Sequence, residues 1–207
     1  MAKYIIHSYY HSFKKRFFDI ILSVSGILFI IPFLAIIYPL FIFLIGKPFI
    51  FKQKRMGKDK VPFTIYKIRT MKNGSEKQQS KYRKLSTAPY PMFKVNDDPR
   101  FIKFGKIISK LGIDEAPQLL NILKGEMSFV GPRPLPLDEA KKLPAEWNFR
   151  YLVRPGILSK WAISKNRYKS LQAWKKLELE TIKHGSSILD LKLIFQSINL
   201  IILKKFF

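Results

Sequence analysis

The sequence predicts a mainly α-helical chain with a small β-hairpin. We read it as a monotopic membrane protein, with an N-terminal re-entrant helix hairpin over residues 1–47 and amphipathic interfacial helices around a cytoplasmic-face core over residues 48–207. Three observations lead there. A charge-free apolar run, Ile20 to Ile45, is followed by a stretch that alternates apolar and cationic residues, and then by segments of helical period. Basic residues stand on both flanks of the apolar run. The 38 Lys plus Arg against 14 Asp plus Glu give a net charge of +24 over 207 residues, so the chain will seek polyanions.

Composition sets further bounds. An apolar share of 47% is enough for a real core, which excludes a disordered basic tail. With no Cys, disulfides and thiolate metal sites are excluded. Imidazole comes only from His7, His11 and His184, and the carboxylates near them have no zinc spacing.

As a straight helix, Ile20 to Ile45 would reach roughly 39 Å, long enough to span a bilayer. It far exceeds the core of a secretory signal, and no small-residue cleavage site follows it. Lys14, Lys15 and Arg16 precede the run; Lys47, Lys52, Lys54 and Arg55 follow it, so both ends read as cytoplasmic. Pro32 cannot donate to the carbonyl of Leu28, and a bend there would let the chain enter and leave by one leaflet. Pro39 adds a second such position. A single kinked span shares these features, because prolines are tolerated in membrane helices; the basic flanks favour the re-entrant form.

The alternation of PFIFKQKRMGKDKVPFTIYKIRTM around Gly57 predicts a β-hairpin. Residues 72–95 are polar, without period, and punctuated by Gly74, Pro89 and Pro91, so they are expected to form a loop. In DDPRFIKFGKIISKLG, Phe101, Phe104, Ile107, Ile108 and Leu111 share a helical face bordered by Lys103, Lys106 and Lys110. This predicts either an interfacial helix or one docked on the core. Near the end, LQAWKKLELETIKHG reads as an amphipathic core helix stopped by Gly185, and SILDLKLIFQSINLIILKKFF as a helix with a broad apolar face that suits either core or lipid.

Between these segments stand Asp114 and Glu115, adjacent acids in a basic chain. Asp114 reads as the N-cap of a helix with Pro117 in its first turn and Gly125 past its end, and capping alone would explain one acid. Two neighbouring helical residues point about 100° apart, so both carboxylates can approach one site from different directions. The GPRP turn at 131–134 holds Arg133 in a stiff backbone suited to phosphate, and Arg154 in VRPG and Arg167 in KNR repeat the pattern. A single such arginine reads as an exposed turn; three are harder to assign to solvent.

The stretches KKRFFDIILS, QKRMG, FTIYKIRTM, DDPRFIKFGK, DEAPQLLNILKGEMSFVGPRP, VRPGI and ILDLKLI, in this order, resemble the bacterial sugar transferase family, the small monotopic phosphoglycosyl transferases. The resemblance covers nearly the whole chain, and its DE-to-GPRP block is the most specific part. It implies transfer of a sugar-1-phosphate from a UDP-sugar to polyprenyl (undecaprenyl) phosphate with release of UMP, at the cytoplasmic face of the bacterial inner membrane, beginning glycan assembly. By position, Asp114 resembles the family's nucleophile, which forms a covalent phosphosugar enzyme, and Glu115, with Asp114, its Mg2+ site. Lys67, Arg133 and Arg167 fall where the family places cations around the diphosphate, with Arg100, Lys110 and Arg154 as further candidates. Asp190 matches a family acid before the last helix, where a helix N-terminal charge serves equally well. Membrane lipid is an expected partner; another copy of the chain and downstream glycosyltransferases are the protein partners to consider.

The chain departs from the family pattern in four places. Ile31 replaces the usual Ser before Pro32, RPGILSKWAISKNR is one residue longer than its counterpart, a second glycine near Lys60 is absent, and Glu180 stands where Asp is common. Two rival classes remain at this level. A nucleic-acid-binding protein would account for the charge but not for Ile20 to Ile45, so no nucleic acid is expected as partner. A noncatalytic polybasic scaffold on the membrane surface would account for both, yet leaves Asp114, Glu115 and the arginine turns without a purpose.

Overall fold

The apolar run folds as one helix. In the computed structural model, which describes residues 6–165 and 167–205, α1 spans Phe13–Ile45 and continues through Pro32 and Pro39 over 33 residues. At about 1.5 Å per residue that is roughly 50 Å. The Ser12 hydroxyl caps its start by accepting from the Lys15 amide, and Gly46, at φ 79°, ends it. No loop divides the expected re-entrant hairpin, although Pro32 and Pro39 leave the carbonyls of Leu28 and Ala35 without helical donors. Leu28, Phe29, Ile36 and Phe43 are 69–87% exposed. Of the helices among the described residues, α1 alone is long and apolar enough to cross a membrane, consistent with membrane association. Residues 1–5 of the expected membrane unit, and the last two of the expected terminal helix, lie outside the described residues.

Both ends of α1 are fastened to the rest of the chain. Near its start, the Lys15 ammonium lies 3.0 Å from Asp19 and 2.6 Å from Asp190, all three buried. Arg16 donates to the carbonyls of Ile122 and Leu123. At its far end, Arg69 donates to the carbonyls of Ile45 and Gly46, and buried Phe41 meets Phe49 edge-on.

The predicted hairpin is present: β1 (Ile50–Met56) pairs antiparallel with β2 (Pro62–Ile68), Ile50 opposite Ile68 and Met56 opposite Pro62. The left-handed residues of its turn are Asp59 and Lys60, at φ 53° and 60°, not Gly57. Gly57 is required for space, since a Cβ there would sit 2.8 Å from the Val61 carbonyl oxygen. Within the expected loop 72–95, Ser75–Gln78 and Ser80–Leu85 form short 3-10 turns.

The helix expected across residues 97–112 shrinks to α2 (Gly105–Lys110). Asp98 takes a fork from Arg100 (2.8 and 2.6 Å) and also the Arg100 amide, an i to i+2 side-chain bond that competes with helix. Phe104 then enters the left-handed region at φ 65°. Gly105 has to be glycine, because a Cβ would lie 2.1 Å from the Thr70 carbonyl oxygen.

Beyond it come α3 (Gln118–Leu123), β3 (Ser128–Val130), α4 (Leu137–Lys141), β4 (Gly156–Leu158), α5 (Lys160–Ile163), α6 (Leu171–Lys183) and α7 (Ser187–Lys205). Gly125, at φ 81°, stops α3 as expected. The parallel pairing of β3 with β4 was not foreseen; Ser128 lies opposite Gly156 and Val130 opposite Leu158. One core cluster gathers Trp147, Phe149, Trp161, Trp174 and Ile182; a smaller one joins Phe63 and Ile65 of β2 to Leu119, Ile122 and Met127, with Ile27 of α1 against it. Helix α6 is the core helix expected, while α7 buries Leu193 and exposes Ile188, Leu191, Phe195 and Ile198.

The β3–β4 contact is backbone against backbone. A Cβ on Gly156 would lie 2.1 Å from the Gly131 nitrogen, and one on Gly131 would lie 2.4 Å from the Arg154 carbonyl oxygen. Gly156→Ala should therefore force the strands apart and cost about 1–3 kcal/mol or more. Chemical denaturation of the detergent-solubilised protein measures this, and an unchanged midpoint would contradict the pairing.

Candidate active site

Strand β2 delivers the first component. Phe63 and Ile65 face the core, and Lys67 continues the same face by the two-residue period, emerging at the edge of the smaller cluster. Helix α3 is locked against this strand by buried Asn121. Its amide nitrogen donates to the Thr64 carbonyl (2.7 Å) and to Glu126 (2.7 Å), and its oxygen accepts from the Tyr66 amide (3.2 Å).

This lock places the acids. Asp114 and Glu115 occupy a 3-10 turn, Ile113–Glu115, entered through Gly112 at φ 70°. Asp114 is not the helix cap the sequence suggested: α3 begins at Gln118 without a side-chain cap, and the Asp114 carboxylate points at Lys67. The Lys67 ammonium stands 3.4 Å from Asp114 Oδ2 and 2.7 Å from Glu115 Oε1, with Arg133 4.0 Å from the same Glu115 oxygen. Burial pushes the Asp114 carboxyl above its ordinary value against the pull of Lys67. Burial acts upward on Glu115 too, but Lys67 and Arg133 outweigh it and bring that carboxyl to about 2. Burial raises both acids, and Lys67 with Arg133 lowers Glu115 far enough to drive the two apart in basicity.

The GPRP turn is held from several sides. The Gly131 amide donates to the Leu158 carbonyl and the Gly156 amide to the Pro132 carbonyl. Arg55 donates to the Pro134 carbonyl, and Arg150 to that of Arg133. The result is a shallow cleft lined by Arg55, Lys67, Glu115, Gln118, Arg133 and Pro134.

Of the residues singled out by sequence, Asp114, Glu115, Lys67 and Arg133 come together here. The charge of Arg167 acts, with that of Lys67 and Asp114, on Lys94, while its guanidinium donates to the Ala162 carbonyl and contacts neither acid among the described residues. Arg100 and Arg154 do not reach the pair. Arg100 is buried on Asp98 and the Ser75 carbonyl, and Arg154 donates to the Gly125 carbonyl. Asp190, in the first turn of α7, accepts from Lys15 and Tyr9, which makes it part of the anchor of α1 and not of the cleft. Lys110 ends α2 without contact to either acid among the described residues. Pro32 lies inside α1.

Two cations went unmarked in the sequence. Burial and the charge of Arg133 hold the Arg55 guanidinium down to about 10. Burial likewise lowers the Lys94 amine, reinforced by Arg133, Arg167 and Lys67 and opposed by Asp114. Arg55 sits in a legible strand and its place in QKRMG was the available signal; Lys94 lies in an aperiodic stretch that offered none. Asn121 was hidden inside an apolar run.

No group of three or more His, Asp or Glu able to hold a metal occurs among the described residues. The donor set nevertheless fits Mg2+, since two carboxylates already converge on one positive charge, and Mg2+ favours one or two carboxylates completed by substrate phosphate and water.

The sequence profile described as bacterial sugar transferase matches residues 10–204. The galactosyl transferase CpsE of Streptococcus agalactiae is 36% identical over 198 residues, covering 95% of this chain and 44% of that protein. The exopolysaccharide production protein ExoY of Sinorhizobium fredii is 30% identical over 196 residues, 93% of this chain and 87% of its own. An undecaprenyl-phosphate galactose phosphotransferase of Salmonella typhimurium is 35% identical over 162 residues, 73% of this chain and 33% of its own. The chain thus spans less than half of CpsE and most of ExoY.

Asn121→Ala removes three hydrogen bonds from a fully buried side chain and leaves partners unsatisfied on β2. A loss of about 1–3 kcal/mol in unfolding free energy is expected. A variant as stable as the parent would show that α3 does not depend on this lock.

Proposed function

The chain belongs to the bacterial sugar transferase family, as a phosphoglycosyl transferase, and from that premise we propose that it moves a sugar-1-phosphate from a UDP-sugar to polyprenyl phosphate and releases UMP. The observation that carries this reading is the convergence of the Asp114 and Glu115 carboxylates on Lys67, beside Arg133, in a cleft where cations outnumber acids. Such a cleft suits a diphosphate. Asp114 is the buried acid whose basicity is raised, which favours it as nucleophile; Glu115, held ionised, favours a purely electrostatic role.

In the proposed reaction an Asp114 carboxylate oxygen attacks the phosphorus bearing the sugar. The bond from that phosphorus to the UMP oxygen breaks, UMP departs with the electron pair, and an aspartyl phosphosugar remains. A phosphate oxygen of the polyprenyl acceptor then attacks the same phosphorus, and the bond to Asp114 breaks to restore the carboxylate. Lys67 and Arg133 offset the charge of the diphosphate throughout. Glu115, with Asp114, would hold Mg2+, which when bound adds further positive charge against the phosphates.

Placement at the cytoplasmic face of the inner membrane is part of the proposal, and features of α1 support it. Its two ends are bound to the same body, through Lys15, Asp19 and Arg16 at one end and Arg69 and Phe41 at the other, and both are flanked by basic residues. A helix that crossed fully would carry its ends to opposite sides. The reading is therefore a monotopic insertion bent at Pro32 and Pro39, with α7 and its exposed Ile188, Leu191 and Phe195 at the lipid surface.

Four experiments test this. Asp114→Asn keeps size and should leave folding intact, while turnover falls by several orders of magnitude, because an amide is a poor nucleophile. Wild-type protein given a UDP-sugar and Mg2+ without acceptor should release UMP once and carry a phosphosugar mass on the Asp114 peptide; an adduct elsewhere would overturn the assignment. Glu115→Gln should lose activity with an altered Mg2+ dependence, and an unchanged dependence would remove it from metal binding. For topology, Ser8→Cys and Lys58→Cys, in a chain with no native Cys, should both be labelled only in inverted vesicles. External labelling of Ser8→Cys alone would establish a full span.

A further inference from the structure

Arg133 and Arg167 stand on separate turns of the chain, yet one buried tryptophan touches both. The Trp161 indole N–H donates to the Arg167 carbonyl at 2.6 Å, and the Arg133 guanidinium lies over the Trp161 ring, 5.7 Å from its centroid. Trp161 stacks on Trp174, with centroids 4.0 Å apart and planes at 12°. The Trp174 indole donates to Glu178 Oε1 at 2.8 Å, and this oxygen also accepts the Arg133 amide and an Arg150 N–H, each at 3.1 Å. Arg150 closes the circuit by donating to the Arg133 carbonyl at 2.6 Å. Trp161, Trp174, Glu178 and Arg150 are all at most 3% exposed.

We infer that Trp161, backed by Trp174 and Glu178, is a positioning unit that sets the spacing of Arg133 and Arg167 and thereby the cleft's affinity for a nucleoside diphosphate. The inference rests on the reading of the cleft as a diphosphate site. A core helix needs no carboxylate at position 178, and a fully buried one is retained only at a desolvation cost that good partners must offset. The partners here are the backbone of one candidate phosphate ligand and the indole that leads to the other. Glu178 Oε2 has no hydrogen-bond partner among the described residues, so the ordering falls on Oε1, the oxygen that meets Arg133. The Arg133 guanidinium lies over this aromatic platform and the backbone of Arg167 is tied to it, while the Arg167 guanidinium donates to the Ala162 carbonyl; small displacements of such groups weaken phosphate binding strongly.

The test uses the full chain in detergent with Mg2+ and UDP as probe, with affinity read by calorimetry and unfolding midpoint read separately. Trp161→Phe preserves the stack but removes the indole donor, and should weaken UDP binding by about tenfold. Glu178→Gln, of equal size, provides a second variant that keeps the core filled. The deciding measurement is a double-mutant cycle: Arg133→Lys should weaken UDP binding clearly in the wild-type background and much less in Glu178→Gln, because the second residue acts through the first. Additive losses, or a lowered unfolding midpoint with unchanged UDP affinity, would overturn the inference and leave Glu178 a core residue. No UDP binding by wild type, or no effect of Arg133→Lys alone, would instead overturn the diphosphate reading itself.

Discussion

The ammonium of Lys15, buried between Asp19 and Asp190, is the interaction from which the arrangement of this chain follows. Lys15 and Asp19 lie one turn apart at the root of α1, and Asp190 begins α7 from the other end of the sequence. Asp19 Oδ1 also accepts from the Ser128 hydroxyl and the Phe129 amide, which belong to β3. One cation therefore joins the apolar helix, the last helix and the strand that leads into the GPRP turn. Breaking a buried pair from one side typically costs about 3–5 kcal/mol, since the remaining charge cannot be hydrated. The apolar helix and the cleft are held in register by a contact that neither contributes alone.

Charge in the cleft is arranged by the same logic on a smaller scale. The chain is basic almost everywhere, so acids are informative where they are buried. Asp114 and Glu115 are both buried beside Lys67, and the added pull of Arg133 and Gln118 on Glu115 separates their behaviour. Arg55 and Lys94 add positive charge and form no ion pair among the described residues. The imbalance is stable only while solvent reaches the cleft or a polyanion fills it.

Much of the fold could be read from the sequence because its signals were periodic. The apolar run, the alternation around Gly57 and the amphipathic pattern of α6 each reflect one face meeting one environment. The β3–β4 pairing could not be read this way: three-residue strands have no measurable period, and their contact depends on Gly131 and Gly156, far apart in the chain. The helix over 97–112 was overcalled because Phe101 and Phe104 suit a helical face, whereas the Asp98–Arg100 fork and the left-handed Phe104 decide the backbone. In the cleft, Asp114, Glu115, Lys67 and Arg133 stood in distinctive motifs. Arg100 and Arg154 shared the motif style but are committed to Asp98 and Gly125, and only tertiary contacts reveal such commitments. Asn121, Lys94 and Trp161 act through partners distant in sequence and carry no local mark.

The double attachment of α1 also bears on how the chain can be made smaller. An anchor joined at a single point can be cut away to leave a soluble remainder. Here, removal of α1 would strip Asp19 from the amide of Phe129 and the hydroxyl of Ser128, and leave Asp190 buried without its cation. It would also deprive Arg69 of the Ile45 and Gly46 carbonyls and uncover the side of Leu119 that packs near Gly26. The apolar helix is as much a wall of the catalytic body as a tether to the bilayer, and a truncated, water-soluble fragment would be an unfinished protein.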